Sequence, residues 1–227
     1  MISELYRFKI NKHGFTLAEV LITLVIIGVV AALAISPLVN TYVESSTVAK
    51  VKKGLSILGQ AKKLAEVQNG SIVGWDFGSG QTFESASKLW NYLKPNIAVA
   101  KDCGNSTECY QSDGVYLLNG NRHEYNYNTS SMFYKIVLAD GSVMWFRSGN
   151  GSSQCSEQVG DINNICAAFY YDVNGDKKPN TVGRDIFVYY ISADGAFPSV
   201  SDTCSKTAAG WGCTAYIIKN GNMKYLH

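Results

Sequence analysis

Asp172, Asn174 and Asp176 alternate around Gly175, and Asn180 and Asp185 follow within the same stretch. Alternating hard oxygens about a glycine turn suit Ca²⁺, which takes about 6–8 oxygen ligands. The twelfth position of the run is Gly183, where a complete calcium loop would carry a carboxylate, and Asp185 stands two residues later. The competing reading is an Asx-rich turn whose side chains bond their own backbone. No cofactor is required by any other residue pattern; a structural Ca²⁺ is the one the chain could take. Catalysis finds little to work with. The histidines are His13, His123 and His227, and His123-Glu124 lacks the second histidine of a zincin. Phosphate loops, dinucleotide fingerprints and nucleophile elbows are also missing, so no enzyme is expected.

Six cysteines, Cys103, Cys109, Cys155, Cys166, Cys204 and Cys213, all lie after residue 100. An even count in an exported body reads as a disulfide framework, against zinc ligation or free buried thiols. No C-x-x-C or finger-like Cys/His spacing supports zinc. Of the fifteen pairings six cysteines allow, we adopt the local one as a guess: 103–109, 155–166 and 204–213. Each bridge is worth roughly 2–4 kcal/mol.

The remaining chemistry sits near the N-terminus. From Phe15 to Val43 one side chain is charged, Glu19. The run is long enough to span a bilayer, which needs about 20 apolar residues. A carboxylate there is costly and marks a function when a partner can be named. Cleavage between Gly14 and Phe15 would create such a partner, an α-amino group at the head of the apolar helix. A neighbouring copy's amine could then pair with Glu19. The plainer reading is a glutamate that snorkels to the headgroups. A conventional secretory signal fits poorly, because its cleavage would follow the apolar run, not precede it.

The order Gly14-Phe15-Thr16-Leu17-Ala18-Glu19, with a basic leader before it and an apolar run after it, resembles the class III signal of type IV pilins and type II secretion pseudopilins. The likeness covers about residues 7–43. It implies cleavage after Gly14 by a prepilin peptidase and N-methylation of Phe15. It also implies bundling of apolar helices into a filament, with Glu19 neutralising an adjacent subunit's amine. Homologous subunits and an inner-membrane assembly platform are the implied partners. Pilins of this kind carry a helix-bending proline at similar depth, so curvature or local unwinding is expected at Ser36-Pro37; alternatively Pro37 ends the span. Major pseudopilins hold calcium in a loop near the C-terminus, but their motif does not align with this chain. The spacing from Asp172 resembles the opening of an EF-hand or dockerin loop, without its flanking helices.

Three segments would position these groups. Residues 1–14 form the leader, 15–69 a long helix spanning the membrane to about residue 43, and 70–227 an extracytoplasmic body. Val48, Val51, Leu55, Leu58 and Ala65 recur at helical spacing, and Asn69-Gly70 supplies a stop. Lys50, Lys52, Lys53, Lys62 and Lys63 then decorate a solvated face, or meet anionic headgroups or an acidic neighbour. A second helix is expected within 75–94, where Phe83, Ala86, Leu89, Trp90 and Leu93 share a face and Pro95 breaks it. Cys103 and Cys109 are placed in a loop. Strands are expected at 114–118, 122–127, 132–138, 142–146, 167–171, 186–191 and 214–218. The fold class is α+β: a long helix packed on an antiparallel sheet with disulfide-bonded loops, which the resemblance also implies.

The chain has 227 residues and a net charge of +2. Arg7, Lys9 and Lys12 against Glu4 account for that excess, and the remainder carries 17 basic and 17 acidic side chains. Basic residues before the span keep the N-terminus cytoplasmic and the body outside, in the periplasm or on the surface. A neutral body gives no broad reason to bind nucleic acid. The leading reading is a structural subunit, cleaved and polymerised into a pilus or secretion pseudopilus. The alternative is a membrane-anchored minor pilin acting as an adhesin, with Trp145, Trp211, Tyr170-Tyr171 and Tyr189-Tyr190 as candidates for carbohydrate contact and a DNA-binding role weakened by the charge. The plain reading of those aromatics is sheet core.

Overall fold

A computed structural model describes residues 14–110, 114–124 and 126–227. The leader expected at 1–14 therefore lies outside the described residues except for Gly14. The chain divides into two compact units between Val43 and Glu44. Helix α1, Leu17–Asn69, supplies all the regular structure described in the first unit and opens the second.

In the first unit the helix has no apolar partner among the described residues. Leu21, Val25, Val29, Leu33 and Leu38 are all largely exposed. The stretch is long and apolar enough to cross a membrane. Thr23, polar within it, donates its hydroxyl to Val20 O at 2.9 Å and so leaves no donor unmet. The helix continues through Pro37.

The second unit is an α+β layer structure. Val51, Leu58, Ala61 and Ala65 of α1 are fully buried, following the 3.6-residue period. Gly54 lets the helix approach the sheet: a Cβ there would lie 2.9 Å from Tyr171 Cδ1 and 3.0 Å from Tyr189 Oη. Tyr189 Oη donates to Val51 O at 2.8 Å, joining sheet to helix. The helix ends as expected at Asn69, with Gly70 at φ +77°.

Seven antiparallel strands form one sheet among the described residues. They are β1 (Val99–Gly104), β2 (Tyr134–Leu138), β3 (Val143–Ser148), β4 (Glu157–Val159), β5 (Ile162–Asp172), β6 (Ile186–Ser192) and β7 (Ala196–Pro198). The spatial order is β1-β2-β3-β5-β6-β7, with β4 beside β5. Period-2 alternation makes two faces. Ile136, Phe146, Phe169, Tyr171 and Tyr189 share one core with α1 and with helix α2, Phe83–Leu93. Val143 and Trp145, with Tyr170 packed alongside, form a separate core with Tyr110, Tyr127 and Phe133 from the long β1–β2 connection.

Several expectations are corrected. The second helix falls within 75–94 as expected, opening at Phe83 where Thr82 caps it and accepts Ser85 N–H at 3.2 Å, but other segments differ. Cys103 lies in β1, not in a loop. The described residues of 114–118 and 122–127 form no named strand. Tyr116 instead forms isolated bridges to Arg122 and Thr181, with Asn119-Gly120 turning the chain between the first pair. Thr214–Ile218 belongs to helix α3, Cys213–Asn220, where Cys213, Thr214 and Ile217 bury one face. Short apolar runs leave helix and strand hard to separate by pattern, and here Gly221, at φ +67°, closes the helix.

Candidate functional site

The apolar helix starts with a reciprocal cap. Thr16 precedes the first helical residue, and its N–H and hydroxyl each donate to Glu19 Oε2 at 2.8 Å. Glu19 N–H donates back to Thr16 Oγ1 at 3.3 Å. This T-x-x-E box satisfies amide donors that the first turn leaves open. The carboxylate also lies at the positive end of the helix dipole. Gly14 is exposed, Phe15 is 87% exposed, and among the described residues no side chain lies within 4 Å of a Cβ placed on Gly14. The capping role of Thr16 is absent from the sequence reading, although the box is legible as Thr16 followed three residues later by Glu19.

In the second unit the oxygen-rich run gathers around Asp185. That carboxylate accepts the backbone N–H groups of Asn180 at 2.8 Å and Thr181 at 2.5 Å, and Asn174 Nδ2 at 3.2 Å. Asp172 Oδ1 accepts Asn174 N–H at 3.1 Å. These are the bonds of an Asx-type loop. Burial, and then the proximity of Asp185, push the Asp172 carboxyl well above the usual carboxylate range. Burial also raises Asp185, against the amides it accepts. Asn174 Oδ1 is buried without a partner. The donor set thus partly fits a hard cation: Asp172, Asp185 and the Asn174 carbonyl oxygen could hold Ca²⁺, with Asp176 close enough to raise Asp172 further and Asn180 meeting Asp185 through its backbone N–H. No group of three or more His, Cys, Asp or Glu is arranged for a metal among the described residues.

The lysines are more engaged than a solvated face requires. Lys50 Nζ donates to Val173 O at 2.6 Å, Lys53 pairs with Asp140 at 2.7 Å, and Lys62 reaches Glu66 at 2.8 Å and Ala193 O at 3.0 Å. Three of the five therefore tie α1 to the sheet's turns. The bridges Cys103–Cys109, Cys155–Cys166 and Cys204–Cys213 each clasp a loop. Of the aromatic candidates, Trp145, Tyr171 and Tyr189 are fully buried core residues. His123 stacks on Tyr127 with ring centroids 5.4 Å apart.

Residues 9–35 match the family model described as the prokaryotic N-terminal methylation motif. That motif is the class III signal of type IV pilins and pseudopilins. The chain has a prepilin-type N-terminus. No curated protein and no solved structure matches it. The methylation motif contains Gly14, Phe15, Thr16 and Glu19. It stops before Pro37 and covers none of the second unit. The functional geometry and the family match thus coincide at the N-terminal signal, while the loop around Asp185 and the disulfides lie outside it.

Proposed function

We propose that the chain is a prepilin-type structural subunit that is cut between Gly14 and Phe15 and polymerises through α1. The carrying observation is the methylation motif at 9–35, whose Glu19 stands in the first turn of a helix that carries no other charge as far as Val43. Prepilin peptidase removes the leader on the cytoplasmic face of the inner membrane, and the new terminus of Phe15 is N-methylated. An assembly platform then extracts subunits, and burial of apolar helix against apolar helix supplies the cohesion. Glu19 passes from its own Thr16 to the amine of an adjacent copy. A subunit out of register would leave that acid unpaired in a dry core, so the pair sets register more than strength. Pro37 gives the helix its curvature. The second unit stays on the outer side of the membrane.

Mass spectrometry of the mature protein should find methylated Phe15 as the first residue; a retained leader would remove the processing claim. Deletion of the chain separates the two filament classes. Loss of surface fibres assigns it to a pilus, and loss of exoprotein secretion to a pseudopilus.

A structural Ca²⁺ is a second reading for the 172–185 loop, favoured by the buried Asn174 oxygen without a partner and by the two raised acids. The cation would relieve the repulsion between Asp172 and Asp185. Adding Ca²⁺ to the EDTA-treated full chain in detergent should raise its Tm, and Asp172→Asn should abolish the gain. An equal Tm with and without the ion would leave the loop as a plain turn.

A further inference from the structure

On the sheet face turned away from α1, a cavity of about 240 Å³ opens between β5, β6, His123, Tyr127, Phe133 and the 201–211 segment. Its size lies just below the roughly 300–1,000 Å³ of pockets for drug-sized ligands, so it has room for one ring. Its walls are aromatic. Trp211 stands edge-on to Tyr170, with centroids 6.1 Å apart at 83°, and edge-on to His123 at 5.1 Å and 81°. Tyr127 packs against both His123 and Tyr170, at 5.4 and 5.3 Å. Polar groups enter from Gln81, Ser201 and Arg147.

The charge state of Arg147 decides the ligand class. Arg147 is 9% exposed, and its guanidinium binds Glu157 through both arms, each at 2.9 Å, with a third bond to Ser148 O at 2.9 Å. An anion entering the cavity would meet an arginine whose fork is already filled by a carboxylate. A cation would be brought beside a buried guanidinium and gain little from the rings. A wholly apolar guest would strip water from Gln81 and Ser201 without replacing its hydrogen bonds. A neutral polyhydroxylated ring satisfies all three conditions: its C–H face lies on an aromatic ring and its hydroxyls reach the polar groups.

We propose that this cavity is a binding site for a single neutral saccharide ring, stacked on Trp211 or Tyr170 and hydrogen-bonded by Gln81 and Ser201. The proposal is independent of filament assembly, since none of these residues lies in α1. Of the aromatics read from the sequence as carbohydrate contacts, Trp211, Tyr170 and Tyr190 line the cavity, while His123, Tyr127 and Gln81 join from elsewhere.

The test uses the full-length protein in a detergent without a sugar headgroup, titrated with maltotriose, chitotriose and galactose and followed by calorimetry and tryptophan fluorescence. At least one saccharide should bind. Trp211→Ala should weaken it about tenfold, as lost stacking implies, and Gln81→Ala several-fold, while Trp75→Phe, outside the cavity, leaves it unchanged. Unaltered far-UV circular dichroism and Tm show that a variant is folded; should Trp211→Ala lose its fold, Gln81→Ala alone carries the test. The proposal is overturned if none of the three sugars binds at roughly 10 mM, if tetramethylammonium or phosphate binds in their place with the same Trp211 and Gln81 dependence, or if binding survives the folded variants unchanged.

Discussion

The two units treat their bonding groups in opposite ways. Between Leu17 and Val43 the helix turns its apolar side chains outward, and Glu19 and Thr23 bond within their own turn of helix. Between Glu44 and His227 the reverse holds. Charged groups are turned inward as staples: Lys62 onto the 193 turn, Arg147 onto Glu157, and Lys135 onto three carbonyls. The first unit is left incomplete until something apolar surrounds it. The second meets most of its own needs. Function that requires a neighbour should therefore map to the first, and stability to the second.

The largest expected effect tests that division directly. Glu19→Ala should leave the chain in the membrane with the body's Tm unchanged, yet sharply reduce its incorporation into filaments beside wild type. Normal incorporation would count against the pairing role. In the body, Lys135→Met should be the most damaging single change. The side chain is wholly buried, and its ammonium donates to Asn105 O, Ser106 O and Asn128 O at 3.2, 3.0 and 2.6 Å. Removing it takes the donor from three part-buried acceptors, at up to roughly 1–3 kcal/mol each, which denaturant titration would read. A wild-type midpoint would mean that the loops rehydrate freely.

Gly54→Ala is smaller. Alanine favours helix by up to ~1 kcal/mol, but its methyl would press on the ring of Tyr171, and overpacking costs about 1–3 kcal/mol. A net loss of about 1 kcal/mol is expected; a gain would show that Tyr171 yields. The smallest effect concerns acid. Burial raises Asp140, but bonds from Lys53 and Ser142 outweigh it and hold the carboxyl at about 2, below its ordinary 3.8. Asp102 is likewise lowered: burial opposes, while Lys94, Trp90 and Tyr134 prevail. A depressed carboxylate adds stability above its unfolded pKa and loses it as pH falls through the folded value. Stability should decline between about pH 4 and 2, and Asp140→Asn should flatten that slope. Asp172 and Asp185 act in the opposite sense, since raised acids favour the folded state at low pH and lose that contribution as pH rises.

The sequence was most informative where one physical rule acts alone. A membrane-length run, a basic leader and Gly14-Phe15 ahead of Glu19 need no tertiary context, and the N-terminal signal could be read directly. The stop at Gly70 and the face of α2 followed from equally local rules. Cys103 was missed as a strand residue because β1 alternates weakly and is only partly buried along its length. Thr214–Ile218 reads as a strand by composition and becomes helix because Cys213 and Ile217 share a buried face. Lys135 carried no signal at all: its role depends on carbonyls at residues 105, 106 and 128 that only the fold brings together. The cavity was half visible, through Trp211 and Tyr170, and half hidden in Gln81 and His123.

The disulfides bear on how such a body can change. Their partners are 6, 11 and 9 residues apart, and each fastens one irregular segment to the element beside it. None links remote parts of the sheet. A clasped segment can therefore be rewritten, lengthened or lost while strand pairing elsewhere keeps its alignment, which leaves the outward-facing loops open to rapid divergence above an unchanging framework.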